Sequence, residues 1–240
     1  MTPRVDKAAG AKGAETAARI LESALGMFRE RGFDGTTMRD IAGACDMSLG
    51  AAYYHFKSKE ALLLAYYQRL HEDRLRHGEQ LFAETSDLRE RVVGLYHHHL
   101  AALRDDRRLL AALVRIVADP ESSASIFAPE TRAIREADMK LFRQATDVAD
   151  VPDELRALGA LALWTLQLGL LLYFIWDESE EARRTHELVD HAVDLLLPLV
   201  PLLGTPLAAP LVGRLLATLE AAGLVADAVR SDDEPAAPRR

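Results

Sequence analysis

The chain has 240 residues, 49% hydrophobic and 28% charged, with a formal net charge of −8; enough apolar side chains are present to bury a sizeable core, which excludes global disorder. The acidic balance excludes a protein that coats nucleic acid over its whole surface, since residues 1–60 carry nine Lys and Arg against eight Asp and Glu and the remainder 20 against 29; any contact with phosphates belongs near the N-terminus. The lone cysteine, Cys45, excludes an intrachain disulfide and a cysteine-rich metal site, and fits a reducing cytoplasm.

Ala, Leu, Arg and Glu abound and alternating runs of Val, Ile and Thr are missing, which predicts an all-α fold. Residues 1–15, MTPRVDKAAGAKGAE, lack the apolar stretch of a secretory signal and read as a flexible, mildly basic arm. From Thr16 onward, Ile20, Leu21, Ala24, Leu25 and Phe28 fall on one helical face until Gly32 supplies a stop. Thr37 then caps a short helix through Ala44, with Asp40 in capping-box position. Asp46 and Met47 form a turn, Ser48 caps a second short helix to about Tyr54, and Ser58 caps a long helix from Lys59. Further helices are separated at Ser86-Asp87, Arg104 to Asp106, Asp119-Pro120, Asp147 to Pro152 and Asp177 to Ser179. Pro198, Pro201, Gly204 and Pro206 break the chain again, LLLPLVPLLGTPLAAPL reads as a loop over the body, a last helix is expected over 211–229, and 231–240 read as a disordered tail.

Two short helices joined by a tight turn and resting on a longer one have the dimensions of a helix-turn-helix, whose second helix enters the DNA major groove. The run SLGAAYYHFKSK places Ser48, Tyr53, Tyr54, His55, Lys57 and Lys59 at or beside that helix, and such side chains bind phosphate. From Arg19 to Leu63 the chain reads RILESALGMFRERGFDGTTMRDIAGACDMSLGAAYYHFKSKEALL. With its Gly-Phe-Asp-Gly-Thr-Thr turn, Asp-Ile-Ala, Ser-x-Gly and Tyr-x-His-Phe-x-x-Lys, this string resembles the N-terminal pattern of the TetR family of transcriptional regulators. The resemblance implies a DNA-binding domain over 16–60 and a helical ligand-binding and dimerising domain over 61–230, in a cytoplasmic homodimer bound to a double-stranded, palindromic operator and released by a small apolar or amphipathic effector. It implies that Thr37 and Lys59 hold phosphates on either side of the groove, that Tyr53, Tyr54 and His55 clamp the backbone, and that Arg39 reaches a base edge. Leu49, Gly50 and Ala51 offer few hydrogen bonds, so close approach, contact with thymine methyls and DNA shape are left for specificity. Cys45 reads as a small buried residue, because a single thiol lacks a resolving partner.

Ala157 to Trp176 contains no charged residue and is long enough to span a bilayer. Gln167 near its centre, Thr165 and the acidic flank Asp177-Glu178 argue instead for a helix buried in a bundle, with no membrane partner. Leu158, Leu161, Leu168 and Leu172 are expected on one face and Leu163, Leu166, Leu170 and Phe174 on another, one for the core and one for a partner chain. In the resemblance, segments 152–176 and 180–197 make the dimer interface. Phe82, Tyr96, Phe127, Phe142, Trp164, Gln167, Tyr173 and Trp176 are candidates for an apolar effector cavity, although each also suits an ordinary core. His97, His98 and His99 look like a metal cluster, but consecutive helical residues point about 100° apart and do not converge, so no metal or cofactor is expected. No glycine-rich phosphate loop, HExxH or nucleophile-elbow pattern appears, so no enzymatic activity is expected either.

Overall fold

A computed structural model of the chain describes residues 5–148 and 151–221. Among them the regular structure is helical, with no strand. In chain order the helices are α1 (Val5–Arg31), α2 (Met38–Ala44), α3 (Leu49–His55), α4 (Lys59–Glu84), α5 (Leu88–Ala102) and α6 (Arg107–Ala118). There follow α7 (Arg132–Ala145), α8 (Asp153–Trp176), α9 (Arg183–Leu196), α10 (Leu199–Leu203) and α11 (Ala209–Ala221). They form two compact units, one of residues up to Leu70 with Asp105–Arg132, the other of His71–Arg104 with the chain from Ala133 onward.

The first unit is built on the apolar face of α1. Ile20, Leu21, Ala24, Leu25 and Phe28 are buried with Met38, Ile41 and Ala42 of α2, Ala52 of α3, Leu62, Leu63 and Tyr66 of α4, and Leu109 and Leu113 of α6. Each full-sized aliphatic among them contributes about 1.5–3 kcal/mol by leaving water. Gly32 ends α1 at φ 79°, its N–H donating to the Phe28 carbonyl at 3.1 Å; a side chain in that left-handed conformation would be strained. Cys45 is buried with its Sγ 3.2 Å from Ser23 Oγ.

Two boundaries differ from expectation. Helix α1 starts at Val5, not Thr16, so the expected flexible arm is helical from Val5 onward; the alanines at 8, 9, 11, 14, 17 and 18 cost nothing in a helix and outweigh the capping preference of Thr16. The units also do not divide at residue 60, because α4 runs unbroken past that position and the segment after Arg104 returns to the first unit. Asp106, buried before α6, explains the return: it accepts from Arg29 Nε of α1 and from the Tyr66 hydroxyl of α4.

In the second unit α5 packs against both α8 and α9, and α8 against α9. α4 lies close to its neighbours at two glycines: a Cβ on Gly94 would come within 2.7 Å of a Leu81 terminal methyl and one on Gly78 within 2.7 Å of a Leu141 terminal methyl, so either would require that leucine side chain to move. The turn from α8 to α9 is locked by Asp177, which accepts from Ser179 N (2.9 Å) and Oγ (2.6 Å) and from Thr185 N (2.8 Å) and Oγ1 (2.7 Å).

Part of the segment expected as a loop over the body folds instead as α10, and the last helix, expected over 211–229, is α11, which begins two residues earlier at Ala209. Val212 of α11 joins Val148, Val151 and Leu155 in a small core, with Val200, Leu203, Ala208 and Leu216 packed around it; the four-residue spacing of Val212 and Leu216 provides the apolar stripe that a helix needs there. The expected stretch after Ala221 and the tail over 231–240 lie outside the described residues.

Candidate nucleic-acid interface

Local chemistry specifies both short helices. Thr37 Oγ1 accepts from Asp40 N at 3.2 Å while Asp40 Oδ2 accepts from Thr37 N at 2.9 Å, which completes the capping box at the start of α2. These bonds, led by the Thr37 hydroxyl at 2.6 Å, hold the Asp40 carboxyl below the usual carboxylate range. Asp46 takes φ 53° after α2, and Met47 N donates to the Ala42 carbonyl at 3.0 Å, so the chain reverses within two residues. Asp is among the few residues other than glycine that adopt this conformation readily. Ser48 Oγ then accepts from Ala51 N at 3.2 Å, and α3 ends where Phe56 turns extended. Caps of this kind are each worth about 1 kcal/mol.

The side chains singled out in the sequence share this part of the first unit. Thr37, Arg39, Ser48, Gly50, Ala51, Tyr53 and Tyr54 are exposed, whereas Leu49, His55 and Lys59 are partly buried. Only Ala52 of α3 is buried, so the helix rests on one small residue and presents most of its surface outward. Tyr54, 79% exposed, stands edge-on to the His55 ring at 5.3 Å. An exposed tyrosine ring of that kind combines a hydroxyl donor with an apolar body. The Thr37 hydroxyl serves the cap, as its spacing from Asp40 predicts. Lys59 has a partner that sequence reasoning missed: its Nζ donates to the Phe33 carbonyl at 2.6 Å while lying 4.3 Å from the Phe33 ring centre. That partner was not legible, because Phe33 sits 26 residues before Lys59 and nothing in the spacing pairs them.

The eight candidates for an effector cavity are not brought together. Tyr96, Phe142, Trp164 and Gln167 are buried in the second unit, with the Tyr96 and Phe142 rings 5.7 Å apart and the Tyr96 hydroxyl donating to the Leu163 carbonyl at 2.7 Å. Phe82 is partly buried beneath the Arg91 guanidinium, 5.0 Å from its ring centre. Phe127 is 62% exposed and belongs to the first unit, and Tyr173 and Trp176 also lie at the surface. The reason is the facing of α8: its buried stripe is Leu155, Ala160, Leu161, Trp164, Gln167, Leu170 and Phe174, while Ala162, Thr165, Gly169, Leu172, Tyr173 and Trp176 point outward. The two leucine faces expected from the sequence are therefore mixed, since an apolar helix carries no polar stripe to orient it. By length and composition alone Leu155–Trp176 could cross a membrane.

The three consecutive histidines diverge, as helical geometry requires. His97 stacks on His186 of α9, His98 stacks on His77 and bonds Asp73 of α4 at 2.6 Å, and His99 is buried.

Two capped seven-residue helices joined by a four-residue turn, the second presenting Gly50, Ala51, Tyr53 and Tyr54 outward after its exposed cap Ser48, define a helix-turn-helix DNA-binding protein. Residues 20–66 match the family described as bacterial regulatory proteins, tetR family, and residues 91–208 match the tetracyclin repressor-like C-terminal domain. The chain belongs to the TetR family of transcriptional regulators. Its N-terminal part is similar to the uncharacterized HTH-type transcriptional regulator YerO of Bacillus subtilis (strain 168), 51% identical over 47 residues, 20% of this chain and 16% of that one. It is similar to the HTH-type transcriptional regulator CymR of Pseudomonas putida, 41% identical over 58 residues, 24% of this chain and 29% of that one. A longer stretch is 27% identical over 105 residues to IcaR of Staphylococcus epidermidis, the HTH-type negative transcriptional regulator of a biofilm operon, covering 43% of this chain and 55% of that one. The chain thus matches little more than half the length of these relatives at most. Among solved structures, a putative TetR-family regulator from Syntrophomonas wolfei superimposes with a TM-score of 0.61 at 16% identity, covering 76% of this chain and 95% of that one. A tetR-family regulator from Streptomyces coelicolor gives 0.59 at 21%, covering 85% and 89%.

Proposed function

We propose that the protein is a repressor that binds a short palindromic operator as a homodimer in the cytoplasm and releases it when a small molecule occupies the helical body. The observation that carries this reading is the outward-facing α3 with Arg39 exposed beside it on α2. Arg39 supplies a guanidinium for a guanine edge, and Tyr53, Tyr54, His55, Ser48 and the free N–H groups of Lys59 supply phosphate contacts. Dimerisation is supported by the apolar outer stripes: Leu172, Tyr173 and Trp176 of α8 and Leu188, Leu195 and Leu196 of α9 are exposed large hydrophobics on neighbouring helices. A two-fold pair of such chains would present two reading helices about 34–36 Å apart, one turn of duplex. IcaR of Staphylococcus epidermidis, similar over the longest stretch described above, is named as a negative regulator, which supports repression here. A release step requires that the effector bind the DNA-incompetent conformation better.

A second reading, a DNA binder without an effector, is favoured by one observation: Phe127, Tyr173 and Trp176 lie at the surface, so three of the eight expected cavity residues line no interior. Gel shifts with the region upstream of the protein's own gene test DNA binding. Binding by the wild type and its loss in an Arg39→Ala, Tyr54→Ala double variant support the assigned contacts, and unaltered binding by that variant rejects them.

A further inference from the structure

A cluster of charged and polar side chains lies inside the second unit and takes no part in the contacts described so far. Arg74 of α4 is 2% exposed. Its Nη1 donates to Asp138 Oδ1 of α7 at 2.9 Å, and His71 Nδ1 donates to the same oxygen at 2.8 Å. Its guanidinium lies 5.4 Å from the centre of the Phe142 ring, which in turn meets Tyr96. Yet the Nε and Nη2 of Arg74 are buried without a hydrogen-bond partner, and so are His71 Nε2 and His99 Nδ1. Gln167 Oε1, one helical turn beyond the Leu163 carbonyl that holds Tyr96, is in the same condition.

Leaving a buried donor or acceptor unpaired costs about 1–3 kcal/mol, and more when the group is charged. Several such atoms on the interior faces of α4, α5 and α8 therefore form a costly arrangement unless something returns those bonds. The pattern of what is unpaired is informative. Nε–H and Nη2–H are the two parallel donors on one edge of a guanidinium, the edge that matches the two oxygens of a carboxylate. Asp138 uses the other end of the group. Burial keeps His99 neutral, with its pKa held down to about 3 and Arg74 adding to the effect. In the tautomer with its proton on Nδ1, a neutral His99 is a donor.

We propose that this cluster binds an organic monocarboxylate: its two oxygens accept from Arg74 Nε and Nη2, His99 Nδ1 donates a further bond, and the adjoining hydrocarbon lies against Phe142 and Tyr96. The inference rests on the reading of the helical body as a sensor and gives that sensor a ligand class. Asp138 already offsets the charge of Arg74, so a dianion such as phosphate would be desolvated at much greater cost than a monocarboxylate.

The test uses the full-length protein with benzoate, hexanoate and decanoate, their methyl esters, and chloride and inorganic phosphate as controls, read by calorimetry and thermal shift. A carboxylate is expected to bind at least tenfold more tightly than its own ester, and Arg74→Lys, which keeps the charge and loses the paired edge, to abolish that preference while retaining helix content and DNA binding. If Arg74→Lys unfolds, the acid-to-ester ratio in the unmutated protein decides alone. Equal binding of acid and ester, an equal thermal shift from chloride or phosphate, or binding of none of the carboxylates overturns the proposal. Esters that bind and release DNA would leave the sensor reading standing while removing the carboxylate. Silence from both series, with DNA binding intact, would count against both.

Discussion

Arg29, in the last turn of α1, is ion-paired through Nε to Asp106, which lies 77 residues further on and immediately precedes α6. The other oxygen of that carboxylate takes the Tyr66 hydroxyl, whose pKa is pushed up first by burial and then by this bond. One buried group thus ties α1, α4 and the start of α6 together. Asp106→Ala leaves the Tyr66 hydroxyl buried without its acceptor, and the expected loss is about 2–3 kcal/mol in urea unfolding. Asp106→Asn, which keeps an acceptor oxygen, should lose less.

Arg39 is exposed on α2 and carries the proposed base contact. Arg39→Ala should weaken operator binding by about 1–3 kcal/mol and relax preference at a single base pair. Tyr54→Ala should instead weaken specific and nonspecific DNA alike. Competition binding against operators substituted one position at a time separates the two outcomes.

The outer stripes of α8 and α9 carry the proposed dimer contact. Leu172→Glu combined with Leu195→Glu places charges at two exposed positions, so the isolated fold is undisturbed while the partner face is lost. Sedimentation should show a monomer, and affinity for a two-half-site operator should fall towards that for a single half-site. A variant still dimeric at micromolar concentration would place the interface elsewhere.

His99 is held neutral in the folded state, its pKa lowered to about 3, whereas the unfolded chain protonates it near its ordinary value. The unfolded state therefore binds more protons below about pH 6.5, and stability is full above that point and lost as pH falls, by up to about 1.4 kcal/mol per unit. His77 and His186, also lowered chiefly by burial, add to the slope. In chemical denaturation between pH 7 and 4.5, His99→Leu should flatten the dependence relative to the wild type.

Burial alone would raise the Asp177 carboxyl, yet its bonds to Ser179 and Thr185 hold it well below the ordinary carboxylate range. Its contribution is present above about pH 4 and is lost as pH falls towards the depressed folded value. Asp177→Ala should remove about 1.5–3 kcal/mol at pH 7 and cancel this acid-side dependence, as measured by thermal unfolding. Asp177→Asn, which keeps one acceptor oxygen, should retain part of it.

How far the sequence could be read depended on distance along the chain. The caps at Thr37 and Ser48 were legible because each bond closes within three residues. The divergence of His97, His98 and His99 was legible for the same reason, since a helix dictates the angle between neighbours. Arg74 was harder. It falls three and four residues from His71 and Gly78, on the buried face of α4, a spacing that could have marked it as an interior cation. Its partner Asp138 lies 64 residues away, however, and without that partner the run around Arg74 reads as an ordinary solvated face.

The residues alone determined an all-helical chain, the two capped reading helices and the family, because these follow from hydrogen bonds and periodicities that close within a turn or two. Tertiary packing alone decided which face of the wholly apolar α8 turns inward, that Asp106 belongs with α1 and α4, and that a guanidinium is buried beside Phe142. Those outcomes depend on which distant side chain supplies a charge or fills a space, and local sequence holds no record of either.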